Sequence, residues 1–385
     1  MIILPNDTEF ILNRLSESGY EAFVVGGCVR DYILNITPND WDICTNAIPD
    51  EISKCFSDFK LITTGIKHGT VGVIINGNVA EITTYRCDGQ YFDNRHPQQV
   101  KFSTSLKTDA ERRDFTVNAM AYNDEKGLID YFGGIDDINK RIIRCVGTPD
   151  ERFNEDALRI LRAIRFSSKL GFGIEEETAK SIHKNKVLLT NISAERIRVE
   201  FEGIINGVNA AKVFSEYSDV FKVFIPELSS ENHFTFNYDT PELRRAYFYS
   251  HFNNSKEIML RLRYSNAEIS AVEAVKNYRT DKFVNSKPFV KKMLRKIGKE
   301  NLINYIKLKY PDSNTKIIKL ITESSKECYR PEQLDISGND LIQLGYKGKE
   351  IKEKLEFLLA TVINEDCKNK KDNLLEKILE LQQKK

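Results

Sequence analysis

Phe23-Val24-Val25-Gly26-Gly27-Cys28-Val29-Arg30-Asp31, followed by Asn39-Asp40-Trp41-Asp42-Ile43, is the stretch on which the reading of this chain turns. A short apolar run enters a glycine pair and leaves into an amphipathic segment. That arrangement brings backbone N–H groups close to a phosphate at a helix N-terminus. Asp40 and Asp42 then stand two apart in an extended run, so both carboxylates point to one face and can share metal ions. A phosphate cradle beside paired carboxylates predicts phosphoryl or nucleotidyl transfer.

Working outward, Glu81 lies in Val79-Ala80-Glu81-Ile82-Thr83-Thr84-Tyr85-Arg86, a second strand-like run. If that strand neighbours the first, three carboxylates converge. Such a cluster is costly without cations, because like charges close together oppose ionisation. Two Mg²⁺ ions would resolve the conflict, activate a 3′-hydroxyl and stabilise departing pyrophosphate. Further on, Asp114 is placed to cap a helix starting at Phe115, which puts Arg112 and Arg113 at its mouth for phosphate or ribose contacts.

In Arg152-Phe153-Asn154-Glu155-Asp156-Ala157-Leu158-Arg159, continued by Ile160-Leu161-Arg162-Ala163-Ile164-Arg165, Asp156 and Arg159 are three apart and predicted to be neighbours on one helix face. The plain alternative is a surface ion pair. The functional one is an acceptor–donor edge, since a carboxylate accepts and a guanidinium donates. Cytosine and adenine both present an amino donor beside a ring-nitrogen acceptor, whereas uracil and guanine present the reverse. One Asp–Arg pair could therefore select C and A without a template. Arg162 falls on the adjacent strip of the helix, and Arg165 about half a turn from Asp156.

The bulk properties set the frame. The chain has 385 residues, 41% hydrophobic and 29% charged, with a net charge of +1, which fits two to four folded units and no global attraction to nucleic acid. There is no apolar run of membrane-spanning length and no basic, apolar leader, so a cytoplasmic protein is expected. Seven scattered cysteines without a CxxC pair argue against a disulfide framework or a zinc site. The segment from Arg279 to Lys299 holds eight Lys or Arg against Asp281, interleaved with Phe283, Phe289 and Met293. It reads either as a solvated helix face or as a groove tracking a phosphate backbone.

Strand-like runs Ala22–Val25, Trp41–Cys44, Val71–Ile75 and Val79–Tyr85, with helices over Glu9–Ser18 and Phe115–Ala121, predict a small α/β unit. After Thr148-Pro149 the pattern turns almost wholly helical, with Lys368–Lys385 charged enough to fray. The expected class is α+β: a small mixed-sheet head followed by helices.

Taken in order, GGCVRD…DWD, EITTYR, RRDFTVNA, YFGGIDDI, RFNEDALRILRAIRF and ISAERIRVEF, with LDISGNDL and LG near the end, resemble the class II CCA-adding tRNA nucleotidyltransferases of the polymerase beta-type superfamily. The resemblance implies a catalytic head (1–146), a neck with a base-reading helix (147–207), a helical body (208–310) and a tRNA-binding tail (311–385). It implies metal ligands at Asp40 and Asp42 with Glu81 as the third acid, and nucleotide contacts at Gly26, Gly27, Arg30, Arg113, Asp156, Arg159, Arg162 and Arg165. Implied partners are CTP, ATP, Mg²⁺ and the tRNA 3′ end, with no membrane and no obligate protein partner. Gly133-Gly134-Ile135-Asp136 matches the family's head-to-neck junction, expected to hinge between C and A. The loop from Asp88 to Asp109, with Tyr91, Asp93, Arg95 and Pro97, looks complete, which favours CCA over CC addition. His251-Phe252-Asn253-Asn254 lacks the aspartate of a His-Asp phosphohydrolase pair, so that activity is not expected. The rival readings are a CC-, A- or poly(A)-adding relative, a non-catalytic RNA-binding protein, and a small-molecule nucleotidyltransferase.

Overall fold

A seven-stranded mixed sheet carries the first half of the chain. The computed structural model describes residues 2–88, 100–229, 233–277, 282–312 and 314–383. Its strands are β1 (Ala22–Val25), β2 (Ile43–Thr45), β3 (Lys60–Ile62), β4 (Thr70–Ile75), β5 (Asn78–Thr84), β8 (Met120–Asn123) and β9 (Gly127–Asp130), ordered β3-β4-β5-β2-β1-β8-β9. The short pair β6 (Arg86–Asp88) and β7 (Val100–Phe102) forms an antiparallel ladder of its own. The side chains of β1 are all buried. Its unbroken Ala-Phe-Val-Val run is what a strand covered on both faces requires.

Gly26 ends β1 with φ +81°, ψ −129°, a conformation open in practice only to glycine. The chain then enters helix α2 (Gly27–Ile33), which follows α1 (Asn6–Glu17). The strand expected over Trp41–Cys44 begins later, at Ile43, although the Asp42 carbonyl still accepts from the Val25 N–H at 3.0 Å. Asp40 therefore precedes the strand proper. The parallel register of β2 with β5, Ile43↔Ile82 and Cys44↔Thr83, sets Asp42 beside Glu81.

The helix expected over Phe115–Ala121 is instead a 3₁₀ turn, Thr116–Asn118, running into β8. Pairing decides this: Tyr122 and Ala121 lie opposite Val24 and Val25, and strand β9 covers the other edge. Helices α3 (Pro49–Cys55), α4 (Leu106–Glu111) and α5 (Gly134–Lys140) complete this part. Of the Gly133-Gly134 pair expected to hinge, Gly133 is left-handed with open space around it and Gly134 is close-packed. A Cβ at Gly134 would collide with the Thr116 carbonyl, and the Asp130 carboxylate accepts from the Gly134 and Ile135 N–H groups at 2.9 Å.

Helix periodicity after Thr148 is interrupted early. Helix α6 (Pro149–Glu155) stops before α7 (Leu158–Leu170), and the two-residue strand β11 (Gly173–Ile174) pairs in parallel with β10 (Ile142–Ile143). Helices α8 (Glu176–Asn185) and α9 (Ala194–Ile205) follow, α9 packing on α7 with Ser168 Oγ donating to the Ile204 carbonyl at 2.7 Å. Aromatic rings close the unit, among them Phe201, Phe214 and Phe221, the last two stacked at 4.5 Å.

The chain forms two compact units, Met1–Phe236 and Asn237–Lys385. Among the described residues the second is helical, with one core around Val290, Leu294, Leu302, Ile306 and Ile321 and another around Leu341, Leu358, Leu359, Leu374 and Ile378. Much of the basic run lies in its helix Lys287–Ile297. Phe283 and Met293 belong to the core and Phe289 packs against it, so these side chains are not a stacking face for bases. Lys287 and Lys291 pair with Glu327 at 2.8 and 2.7 Å, and Arg295 with Glu356 at 2.6 Å. The amphipathic stripe took the apolar residues inward, and acids meet three of the cations, Lys287, Lys291 and Arg295. Arg279 and Asp281, like Tyr91, Asp93, Arg95 and Pro97, lie outside the described residues. Among the described residues no helix is long and apolar enough to cross a membrane.

Candidate active site

Every residue expected at the site except Glu81 lines one polar cleft of the first unit, with a volume of about 660 Å³. Its floor is the Gly26–Gly27 turn. The Gly26 N–H donates to the Met120 carbonyl at 3.1 Å. The N–H groups left for an anion are those at the start of α2, which have no intrahelical acceptor. A Cβ on Gly26 would stand 2.9 Å from Arg113 Nη1, so glycine lets that guanidinium close over the turn.

Asp40 and Asp42 occupy one edge of the cleft. Enclosure by its walls pushes the Asp42 pKa up, the Asp40 charge adds to that, Arg113 opposes it, and Glu81 raises it further. Glu81 thus acts on Asp42 through space without lining the cleft. Among the described residues, no three His, Cys, Asp or Glu side chains come together closely enough to hold one ion. The expected trio is an acidic edge with two cleft-facing members. Asp40 sits ahead of the strand, and only Asp42 lies beside Glu81 in the sheet register. Two carboxylates facing one cleft offer the hard oxygen donors that a divalent cation takes.

The arginines are locked by partners. Arg30 is buried, donating to Asn118 Oδ1 at 2.5 Å and Asp31 Oδ1 at 2.6 Å. Arg113 and Arg112 share the buried Asp109 carboxylate at 3.2 and 2.8 Å. Burial would raise the Asp109 pKa, but these two cations hold it below the usual carboxylate range. Asp114, expected as a helix cap, is a buried hub. It accepts from the Phe115 N–H at 2.9 Å, Asn118 Nδ2 at 3.2 Å and Arg162 Nε at 2.7 Å.

The pair expected to read the base, Asp156 and Arg159, differs from the expected geometry. Asp156 is not helical: it stands at φ −139°, ψ 103° between α6 and α7, its carboxylate accepting from the Leu158 N–H at 3.1 Å. Short acidic side chains compete with the helix in this way. Asp156 and Arg159 therefore do not form an i,i+3 ion pair. Arg196, from α9, holds Asp156 at 3.2 Å, while Arg159 pairs with Glu155 at 2.6 Å and donates to the Arg112 carbonyl at 3.0 Å. Both still face the cleft. Because α7 starts afresh at Leu158, Arg165 also joins the cleft, paired with Glu200 at 2.5 Å. Beneath lies Phe166, its ring centroid 5.2, 5.4 and 4.5 Å from the guanidinium carbons of Arg30, Arg162 and Arg165.

Asp109, Glu155 and Arg196 escaped the sequence reading, as did Phe166 and Glu200. Asp109 was within reach, since it stands three and four residues before two arginines on a helix capped by Ser105. The others depend on tertiary packing.

Three family models cover much of the chain. Residues 22–144 match the poly A polymerase head domain, 171–231 an RNA- and SrmB-binding site of polymerase A, and 243–378 a tRNA nucleotidyltransferase domain 2. A CCA-adding enzyme of Pediococcus pentosaceus is 36% identical over 398 aligned positions, 98% of either chain. The chain belongs to the CCA-adding enzyme family. A CCA-adding enzyme of Limosilactobacillus fermentum is 49% identical over 197 residues, 51% of this chain and 49% of that one. The crystal structure of the Bacillus stearothermophilus CCA-adding enzyme in complex with CTP superimposes with a TM-score of 0.84 at 29% identity, covering 100% of both chains. That family's mixed head sheet and helical remainder are the architecture described above.

Proposed function

We propose that this chain adds C, C and A in turn to the 3′ end of tRNA, taking CMP from CTP and AMP from ATP. The observation that carries this is a single cleft holding the glycine turn, the Asp40–Asp42 edge and the Asp156–Arg159 edge together. The primer's terminal 3′-hydroxyl attacks the α-phosphate in line; the new P–O bond forms as the bond to pyrophosphate breaks. Asp40 and Asp42 would hold Mg²⁺, with Glu81 adding negative field. The bound ion supplies charge neutralisation and lowers the pKa of the attacking hydroxyl. The α2 N-terminus, Arg30 and Arg113 orient the triphosphate, so most of the acceleration comes from positioning and fixed charge.

Asp156 accepts from the exocyclic amine of cytosine or adenine, and Arg159 donates to the ring nitrogen beside it. Uracil and guanine would set a carbonyl against the carboxylate and an N–H against the guanidinium. Arg196 and Glu155 hold the two reading groups independently, which keeps the edge rigid.

Within this function the chain divides into a head (1–146), a neck (147–207), a body (208–310) and a tRNA-holding tail (311–385), acting in the cytoplasm without an obligate protein partner. The test is a tRNA lacking its last three nucleotides, incubated with CTP, ATP or both. Two cytidines with CTP alone and CCA with both nucleotides are expected. A product ending at CC with both present would mark a partial enzyme; repeated A would mark a poly(A)-adding one. No extension would return the chain to RNA binding alone.

A further inference from the structure

Helix α7 turns one face to the cleft. At 3.6 residues per turn, Arg159, Arg162, Arg165, Phe166 and Lys169 lie within about a third of its circumference, and all five line the cleft. Its other faces, including Ile160, Leu161, Ala163 and Ile164, are buried.

The four cations on this face are not equivalent. Arg159, Arg162 and Arg165 are each matched to a carboxylate, those of Glu155, Asp114 and Glu200. Lys169 is exposed and, among the described residues, has no ion pair or hydrogen bond. Lys169 is thus the cation of this face whose charge no carboxylate of the protein neutralises, and it is open to an anionic ligand.

The helix also gives direction to a bound nucleotide. The base-reading end is at Asp156 and Arg159. Arg30, carried by the helix that follows the glycine turn, reaches α7 at Phe166, about 10 Å further along the axis. A nucleotide with its base at the first point and its phosphates at the second runs along α7. Its distal phosphates then arrive at Lys169, about 15 Å from Arg159 and comparable to the length of an extended nucleoside triphosphate.

From this we infer that Lys169 binds the terminal phosphates of the incoming CTP or ATP and, after transfer, the leaving pyrophosphate. This rests on the nucleotide-binding cleft proposed above and adds a contact to it. A lysine suits the task. Its compact charge and rotatable donors on a flexible stem can follow phosphates that move away on cleavage, which a paired arginine cannot.

The test uses the full chain with Lys169→Met and Lys169→Arg. Dissociation constants are measured for CTP, CMP and inorganic pyrophosphate, together with KM for tRNA. Lys169→Met is expected to weaken CTP and pyrophosphate about tenfold, the scale of one charge-assisted contact. CMP affinity and KM for tRNA should stay within about twofold, and Lys169→Arg should recover most of the loss. Equal weakening of CTP and CMP, no change in CTP, or a raised KM for tRNA with CTP unaffected (a backbone phosphate of the RNA as the true ligand) would each overturn the assignment. If the wild-type chain adds CCA and prefers CTP to CMP while Lys169→Met behaves identically, only Lys169 is lost. A wild-type chain that neither extends tRNA nor prefers CTP removes the proposed function itself.

Discussion

Asp156 and Arg159 face one cleft without pairing: Arg196 holds the first at 3.2 Å and Glu155 the second at 2.6 Å. Had they bonded to each other, each would have satisfied the group that a base must meet. Separate anchors hold an acceptor and a donor on the wall of the same cleft.

Base choice should therefore fail before folding does. Asp156→Ala and Arg159→Ala are expected to raise incorporation of U and G relative to C and A by roughly tenfold or more, the scale of one lost base-edge recognition. Arg196→Ala should move selectivity in the same direction through a misaligned Asp156. Single-nucleotide extension rates with each of the four triphosphates measure this. Unchanged selectivity in all three variants would eliminate the acceptor–donor edge.

The Asp114–Arg162 pair carries a pH signature. Burial by itself would raise the Asp114 pKa, but Arg162 and the Asn118 amide hold it below the usual carboxylate value. A folded pKa below the unfolded one, near 3.9 for Asp, means stability fully present above that value and lost as pH falls beneath it. Asp114→Asn should lower stability at pH 7 by about 1–3 kcal/mol, since the carboxylate is buried but its Arg162 partner is a third exposed. Its Tm deficit should shrink below about pH 4, where the wild-type pair is itself failing. A deficit constant from pH 7 to pH 3 would contradict the assignment.

Asp42 has the opposite sign. Enclosure and the Asp40 charge raise its pKa, so its ionised form at neutral pH opposes folding. Asp42→Asn should leave Tm equal or slightly higher while reducing turnover on the order of a thousandfold or more. Mg²⁺ should raise the Tm of the wild-type chain and not that of the variant. A Mg²⁺ shift of equal size in both would place the cation elsewhere.

Two glycines should fail differently. Gly26→Ala forces a side chain onto φ +81° and against Arg113, so KM for CTP and ATP should rise along with a stability loss of about 1–3 kcal/mol. Gly134→Ala meets the Thr116 backbone, which cannot swing aside, so stability should fall while KM for the remaining folded enzyme holds. Thermal melts paired with KM values distinguish the two. A raised KM in Gly134→Ala without a lowered Tm would argue for a hinge there.

How legible all this was from residues alone depended on the range of the interaction. Strand β1 and the turn at Gly26 were visible because the apolar run and the glycine requirement are local. The same holds for the Asp40–Asp42 spacing. The break at Asp156 was not, because the Leu158 N–H chose a carboxylate over a helical carbonyl, a contest that spacing does not record. Helix periodicity likewise misjudged Phe115–Ala121, where pairing with β1 and β9 prevailed. The basic run showed the same limit: its interleaved Phe289 and Met293 were turned inward by the helix, which charge counting does not record. Partners brought from distant sequence, such as Arg196 for Asp156 and Glu200 for Arg165, exist only once α9 packs on α7.

The most direct measurement is sequencing of the 3′ ends after a tRNA lacking its terminal three nucleotides is incubated with CTP, ATP and Mg²⁺. Wild-type chain should yield ends in CCA and stop there, and Asp40→Ala and Asp42→Ala should yield unextended RNA while melting like the wild type. Normal CCA ends from either folded variant would contradict a reaction centred on those two carboxylates.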